Sequence, residues 1–433
     1  MPMAEAAKWE PGRLERLSGV KPEEAAPVAW SLAYIIALFL AYYVLRPIRD
    51  ELGVAGGVNN LPWLFMGTLL AMLVATPLFG YAVRRLSRER FIAVSYRFFA
   101  ANLAIFAVLL AATSEAHQLW IGRAFFIWIS VFNLFVVSVF WSFIEDIFTT
   151  GQGKRLFGIL AAGASFGGLL GSALTSSVVE DIGRTWLIVI AIVLIEVAVF
   201  AARRLSRHRL DPQHSRVVRD DDKLVGGGIF AGIVHTLRSP YLLGLALFVL
   251  IYTITSTILY FQQAHIAQEH FPDRAARTAF FATIDLWVNG VTLTIQLLLT
   301  GRLMARFGVL LTVCALPVIS IAGFSGLAAY PTIGVFVAAQ VTRRVANFAL
   351  ARPSREVLFT SCSREDRYKA KNFIDTVIYR GGDQVASWGY AGLMGIGLGI
   401  SQIAVVGIPL SAAWLVLGIW LARAHERQLA TPQ

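Results

Sequence analysis

Charge is scarce in this chain. Asp, Glu, Lys and Arg make up 15% of its 433 residues, against 57% apolar ones. A water-soluble protein of that length needs far more polar surface, so the composition excludes an ordinary soluble fold. Cysteine is nearly absent. Cys314 sits in an apolar run and Cys362 in a basic loop, which excludes a disulfide framework and a thiolate metal site. The seven histidines are scattered, with no pair at metal-ligand spacing on one helix. "GQGKR" (151–155) lacks the glycine spacing and trailing Ser or Thr of a phosphate-binding P-loop. No nucleophile–base arrangement stands out, so neither an enzyme nor a cofactor or metal is expected. Residues 1–27 have no apolar core followed by a small-residue cleavage site, so no signal peptide is expected either.

What the chain does have is apolar runs of roughly 20 residues, the length that spans a bilayer, repeated from one end to the other. Mean hydropathy is +0.64. Spans are predicted near 28–48, 61–83, 91–113, 118–142, 155–179, 185–203, 240–262, 279–300, 309–329, 332–351, 372–394 and 399–422. The expected fold is an all-α membrane protein of twelve transmembrane helices in two pseudo-symmetric six-helix halves. The divisions are 1–27 (cytoplasmic segment), 28–203 (first bundle), 204–238 (cytoplasmic linker), 239–422 (second bundle) and 423–433 (cytoplasmic tail).

The net charge of +11 follows from topology. Of the basic residues outside the spans, 28 fall on one side of this layout and three on the other, namely Arg184, Arg274 and Arg277. That asymmetry places both termini in the cytoplasm, as in a multi-pass protein of a bacterial inner (plasma) membrane. It leaves no reason to expect a nucleic-acid partner; the bilayer and a small solute are the partners expected, with a monomer as the working unit.

The two halves repeat each other. "GYAVRRLSRER" after span two matches "GRLMARFG" after span eight, with Gly80 and Gly301 each followed by arginines. Glu145, Phe148 and Thr149 after span four match Glu356, Phe359 and Thr360 after span ten. Repeated halves place a substrate site between them near the bilayer centre, about which they rock. The paired loop motifs resemble the cytoplasmic loop motif of the major facilitator superfamily. In span five, Gly163, Gly167 and Gly171 recur every four residues, a smooth face suited either to sliding or to static close packing.

Charges inside spans are costly and mark partners or pathways. The basic residues that topology leaves unexplained include Arg46, Arg49, Arg343, Arg344 and Arg380. Candidate acids for charge balance or proton coupling are Asp50, Glu145, Asp285, Asp375 and Asp383. Asn289 and Gln296 share a helix face with Asp285, giving span eight a polar stripe. In "RPIRDE" (46–51) an Arg46–Asp50 pair one turn apart is the simple reading. Pro47 is expected to kink the helix, which would free Arg49 to hold a phosphate or carboxylate.

"YYVLRPIRDELG" resembles the first-span signature of the nucleotide (ATP/ADP) translocase family of plastids and intracellular bacteria, through Leu45-Arg46 and Arg49-Asp50. "FWSFIEDIFTTGQGKRLFGILAAGASFGG" is similar to that family's fourth-to-fifth span region. Arg355, Glu356, Lys369, Lys371, Ile374, Asp375 and Arg380 follow the order of its tenth-to-eleventh. The resemblance implies substrate-sensitive charges at Arg49, Glu145, Asp285 and the Arg380 region. Arg49 stands where the family has lysine, and Asp383 where a second lysine belongs. The function expected is alternating-access transport of a small anionic, phosphate-bearing solute such as a nucleotide, held by Arg46, Arg49, Arg343, Arg344, Arg380 and Asn289. The alternative is a proton-coupled transporter or exporter of another small molecule.

Overall fold

The computed structural model of the protein describes residues 20–85, 88–208, 231–362 and 370–430. Among these residues every regular element is helical, and each expected span falls on helix. The first half comprises α1 (Ala25–Ala55), α2 (Leu61–Arg85), α3 (Arg88–Ala112), α4 (Glu115–Ile147) and α5 (Thr150–Ser206). A short helix, α6 (Ala231–Arg238), leads into α7 (Pro240–His270), α8 (Arg274–Leu298), α9 (Thr300–Ala329), α10 (Ile333–Ala346), α11 (Tyr379–Gly395) and α12 (Ile400–Ala430).

Nine helices among the described residues are long and apolar enough to cross a membrane. One of them, within α5, is a doubled-back pair. At Gly183 the backbone turns to φ 72°, ψ 169°, a conformation open to a residue without a Cβ. Gly163 before the break packs on Leu32 of α1, and Phe200 after it meets Trp30 of α1 at 5.9 Å between ring centroids. A straight helix rising about 1.5 Å per residue could not bring positions 163 and 200 to one level. Expected spans ten and eleven are helical but polar, with Arg343 and Arg344 in one and Arg380 and Asp383 in the other. Both contain a π-helical turn, at Asn347–Ala351 and Ile374–Ile378.

Three expectations change in detail. α1 is continuous helix through Pro47, the residue expected to kink it, and "RPIRDE" lies within that helix. The stretch expected as linker ends in the helix α6, and α12 continues past position 422 to Ala430. Gly163, Gly167 and Gly171 face α1 of their own half. A Cβ on Gly167 would lie 2.6 Å from the Ile36 carbonyl oxygen, so this face is locked and does not slide between halves. Residues 1–19, 209–230 and 363–369 (with Lys369), and the side chains of Gly80, Arg84, Arg88, Gly301 and Arg302, lie outside the described residues.

One apolar core lies wholly in the first half, around Tyr34, Phe140 and Leu187, and another in the second, around Leu245 and Trp414. A third is shared, joining Leu61 and Phe126 to Phe261, Phe281 and Tyr390. The face that carries the α1–α2, α5 and α7–α8 turns is called distal below; the start of α1 and the end of α12 lie on the opposite, terminal face.

Candidate functional site

A cavity of about 200 Å³ lies between the halves, with seven lining residues from each. α1 supplies Arg46 and Arg49, α2 Phe65 and Thr68, and α4 Phe126, Ser130 and Asn133. Opposite them are Ser256, Thr257 and Tyr260 of α7, and Tyr379, Arg380, Asp383 and Gln384 of α11. The helical repeat explains the α1 pair. Arg46, Arg49 and Asp50 are three and four residues apart, so one face of α1 carries all three charges past Pro47.

The arginines are held by carboxylates, and the Arg46–Asp285 pair crosses between the halves. Arg49 donates Nε and Nη2 to Asp50 Oδ1 at 3.0 and 2.5 Å, and its ring-facing side lies 5.1 Å from the Phe126 centroid. Tyr260 of α7 donates its hydroxyl to the same Asp50 oxygen at 3.0 Å. Arg46 sits 3.3 Å from Asp285 of α8 and 3.9 Å from Asp50. Arg344 of α10 reaches Asp285 at 2.7 Å. Across the cavity, Asp383 accepts from Arg380 at 3.2 Å and from the Thr257 hydroxyl at 2.9 Å. Buried charges this close require such pairing, because unpaired ones would carry their full desolvation cost.

Other expected site residues lie elsewhere. Arg343 is buried in the second half, where its guanidinium donates to Ser320 Oγ (3.1 Å), Thr255 Oγ1 (2.7 Å) and the Tyr252 carbonyl (3.2 Å). It does not line the cavity, because neighbouring residues on a helix point about 100° apart and Arg344 takes the inward face. Asn289 donates to the Asp285 carbonyl and packs against Gly168 of α5, forming helix contact between halves. Asp375 pairs with Arg355 at 3.2 Å, away from the cavity lining. Glu145 is exposed at the end of α4 next to the terminal face. Arg344 and Asp285 stand directly behind the cavity wall, linked to it through Arg46.

Sequence reasoning missed Glu51. Its side chain is fully buried on the distal side of the cavity and takes three arginines: Arg274 at 2.9 Å, Arg277 at 3.4 Å and Arg184 at 3.6 Å. Gln118 Oε1 accepts from Arg184 and Arg274 at 2.7 and 3.0 Å. These are the three arginines that charge counting assigned to the sparsely basic side. An acid at the end of the first span, level with the three loop cations of that side, was the signal available. Trp63 of α2 against Trp388 of α11 (4.9 Å) and the Val58 amide on Gln268 (3.2 Å) complete the distal closure.

The sequence profile of the Major Facilitator Superfamily matches residues 26–370. The chain belongs to that superfamily. It is 25% identical over 346 residues to ADP,ATP carrier protein 1 of Chlamydia muridarum, covering 71% of this chain and 64% of that protein. It is 24% identical over 361 residues to ADP,ATP carrier protein 1 of Chlamydia trachomatis serovar D, covering 72% and 68%. The chain thus matches just under two thirds of the length of the first relative. In fold it is similar to the POT family transporter PepTSo, with a TM-score of 0.62 at 13% identity over 94% of this chain and 99% of that one. The human organic anion transporter MFSD10 (TETRAN) gives 0.59 at 13% identity over 92% and 100%. The protein is a multi-pass membrane protein of the major facilitator type.

Proposed function

We propose that this superfamily member moves a small anionic solute by alternating access, with Arg46, Arg49 and Arg380 as the anion-holding groups. The observation that carries this reading is the cavity itself. It draws three arginines from both halves, so a bound anion would bridge the two bodies that rock. Guanidinium forks suit phosphate and carboxylate oxygens. The printed names of the Chlamydia relatives make a nucleotide the first solute to try. The termini would face the cytoplasm across a bacterial inner membrane, making the distal face external.

A second reading, proton coupling, is favoured by Asp383. It is a buried acid in the cavity wall whose partners, Arg380 and Thr257, are both donors that a substrate could displace.

The test is uptake of labelled AMP, ADP and ATP into proteoliposomes preloaded with nucleotide or left empty, with Arg49→Ala and Arg380→Ala as controls. Uptake that needs internal nucleotide and vanishes in both variants supports exchange at this cavity. Uptake driven only by an imposed pH gradient supports proton coupling. Uptake of no anion by folded protein would remove the reading.

A further inference from the structure

The wall of the cavity counts its own charge. Arg46, Arg49 and Arg380 line it, and Arg344 stands behind Arg46 on the shared Asp285. Against these four cations stand three carboxylates in direct contact with them: Asp50, Asp285 and Asp383. The cluster has no lysine or histidine, and its balance is a single positive charge. Arg343 does not alter this at the wall. It is turned away behind Tyr252, and three neutral oxygens of the second half occupy its donors.

The rest of the wall is neutral but able to hydrogen-bond. Thr68 is 5% exposed, and its hydroxyl has no hydrogen-bond partner among the described residues. The same holds for Gln384 Oε1 on the opposite side and for Arg46 Nε. Buried polar atoms without partners are uncommon and point to a group that completes them. Phe65 and Phe126 on one side and Tyr260 and Tyr379 on the other supply flat apolar surface between these polar points.

We infer that the solute carries one anionic head on a planar, hydrogen-bonding body, as a nucleoside monophosphate does, and is not a nucleoside polyphosphate. This rests on the anion-transport reading above and narrows it. A single phosphate carries about −1.5 to −2 charge at neutral pH, which already uses up the one positive charge the wall offers. Every further phosphoryl group adds negative charge beside Asp383 in the wall and Asp50 and Asp285 just behind it, and among the described residues of the wall every cation is already paired with one of these acids. The head docks on Arg46, whose Nε donates no hydrogen bond and stands 3.9 Å from Asp50, and the body lies between Phe126 and Tyr379 with Thr68 and Gln384 as its hydrogen-bonding rim.

The test is the ligand-induced rise in melting temperature of the purified full chain, without divalent metal, across AMP, ADP, ATP and phenyl phosphate. The series is repeated with Asp383→Asn, which keeps an acceptor for Thr257 and adds one net positive charge to the wall. The expected order in the native chain is AMP first, phenyl phosphate next, then ADP and ATP, with apparent affinity falling about tenfold or more per added phosphoryl group. Asp383→Asn should move the preference toward ADP. ATP binding tightest in the native chain, or an unchanged order in Asp383→Asn, would overturn the inference and leave anion transport standing. No stabilisation of folded protein by any of the four would overturn both.

Discussion

Neutralising Glu51 should unlock the distal face. Its carboxylate takes three guanidinium groups, but they are not equivalent in a rocking motion. Arg184 belongs to the same half as Glu51 and would travel with it. Arg274 at 2.9 Å and Arg277 at 3.4 Å belong to the other half and must leave before the distal face can open. Glu51 is fully buried, and removing one partner of a buried pair costs about 3–5 kcal/mol. If about 3 kcal/mol of that belongs to the closed arrangement alone, the closed-to-open ratio falls roughly hundredfold in Glu51→Gln. Val58 reports the change, because it is 8% exposed and its amide is bonded to Gln268 of the other half. The assay is the rate at which an impermeant maleimide labels Val58→Cys, in a chain with Cys314 and Cys362 replaced by serine. Glu51→Gln should speed labelling by about a hundredfold, and Arg274→Gln should also speed it. Arg184→Gln should change it little. Equal effects of the two arginine variants, or no effect of Glu51→Gln in folded protein, would refute the lock.

Other outcomes follow from the packing and the ion pairs. Gly167→Leu should lower detergent melting temperature by the equivalent of about 1–3 kcal/mol or more, because the added side chain meets the α1 backbone. Gly158→Ala, where a Cβ meets nothing within 4 Å, should be neutral in the same melt. Asp285→Asn leaves Arg46 and Arg344 without their shared carboxylate, at a cost of about 3–5 kcal/mol, and a second change, Arg344→Gln, should recover part of it in a double-mutant cycle. Arg343→Lys keeps the charge but cannot reach three acceptors at once. It should cost about 1–3 kcal/mol in denaturation and leave solute selectivity unchanged in competition assays.

Much of this was written in the chain's hydropathy and charge. Length, apolar runs and loop cations specified a helical membrane protein with repeated halves, because lipid admits no unpaired backbone and loop cations concentrate on one side of the spans. The same rule selected Arg46, Arg49, Arg380 and Asp383 as candidates for the cavity, since each is too costly to be incidental. What a linear pattern cannot hold is which side of a helix meets which neighbour. Adjacent arginines at 343 and 344 look alike in sequence, yet a turn of about 100° per residue sends one to Asp285 and the other into a neutral cage. The glycines of span five are legible as a smooth face, but only the packing shows that they bind α1 within one half. Glu51 depends on tertiary structure most of all. Its three partners come from positions 184, 274 and 277; packing within the first half brings Arg184 to the carboxylate, and only folding of the two halves onto each other brings Arg274 and Arg277.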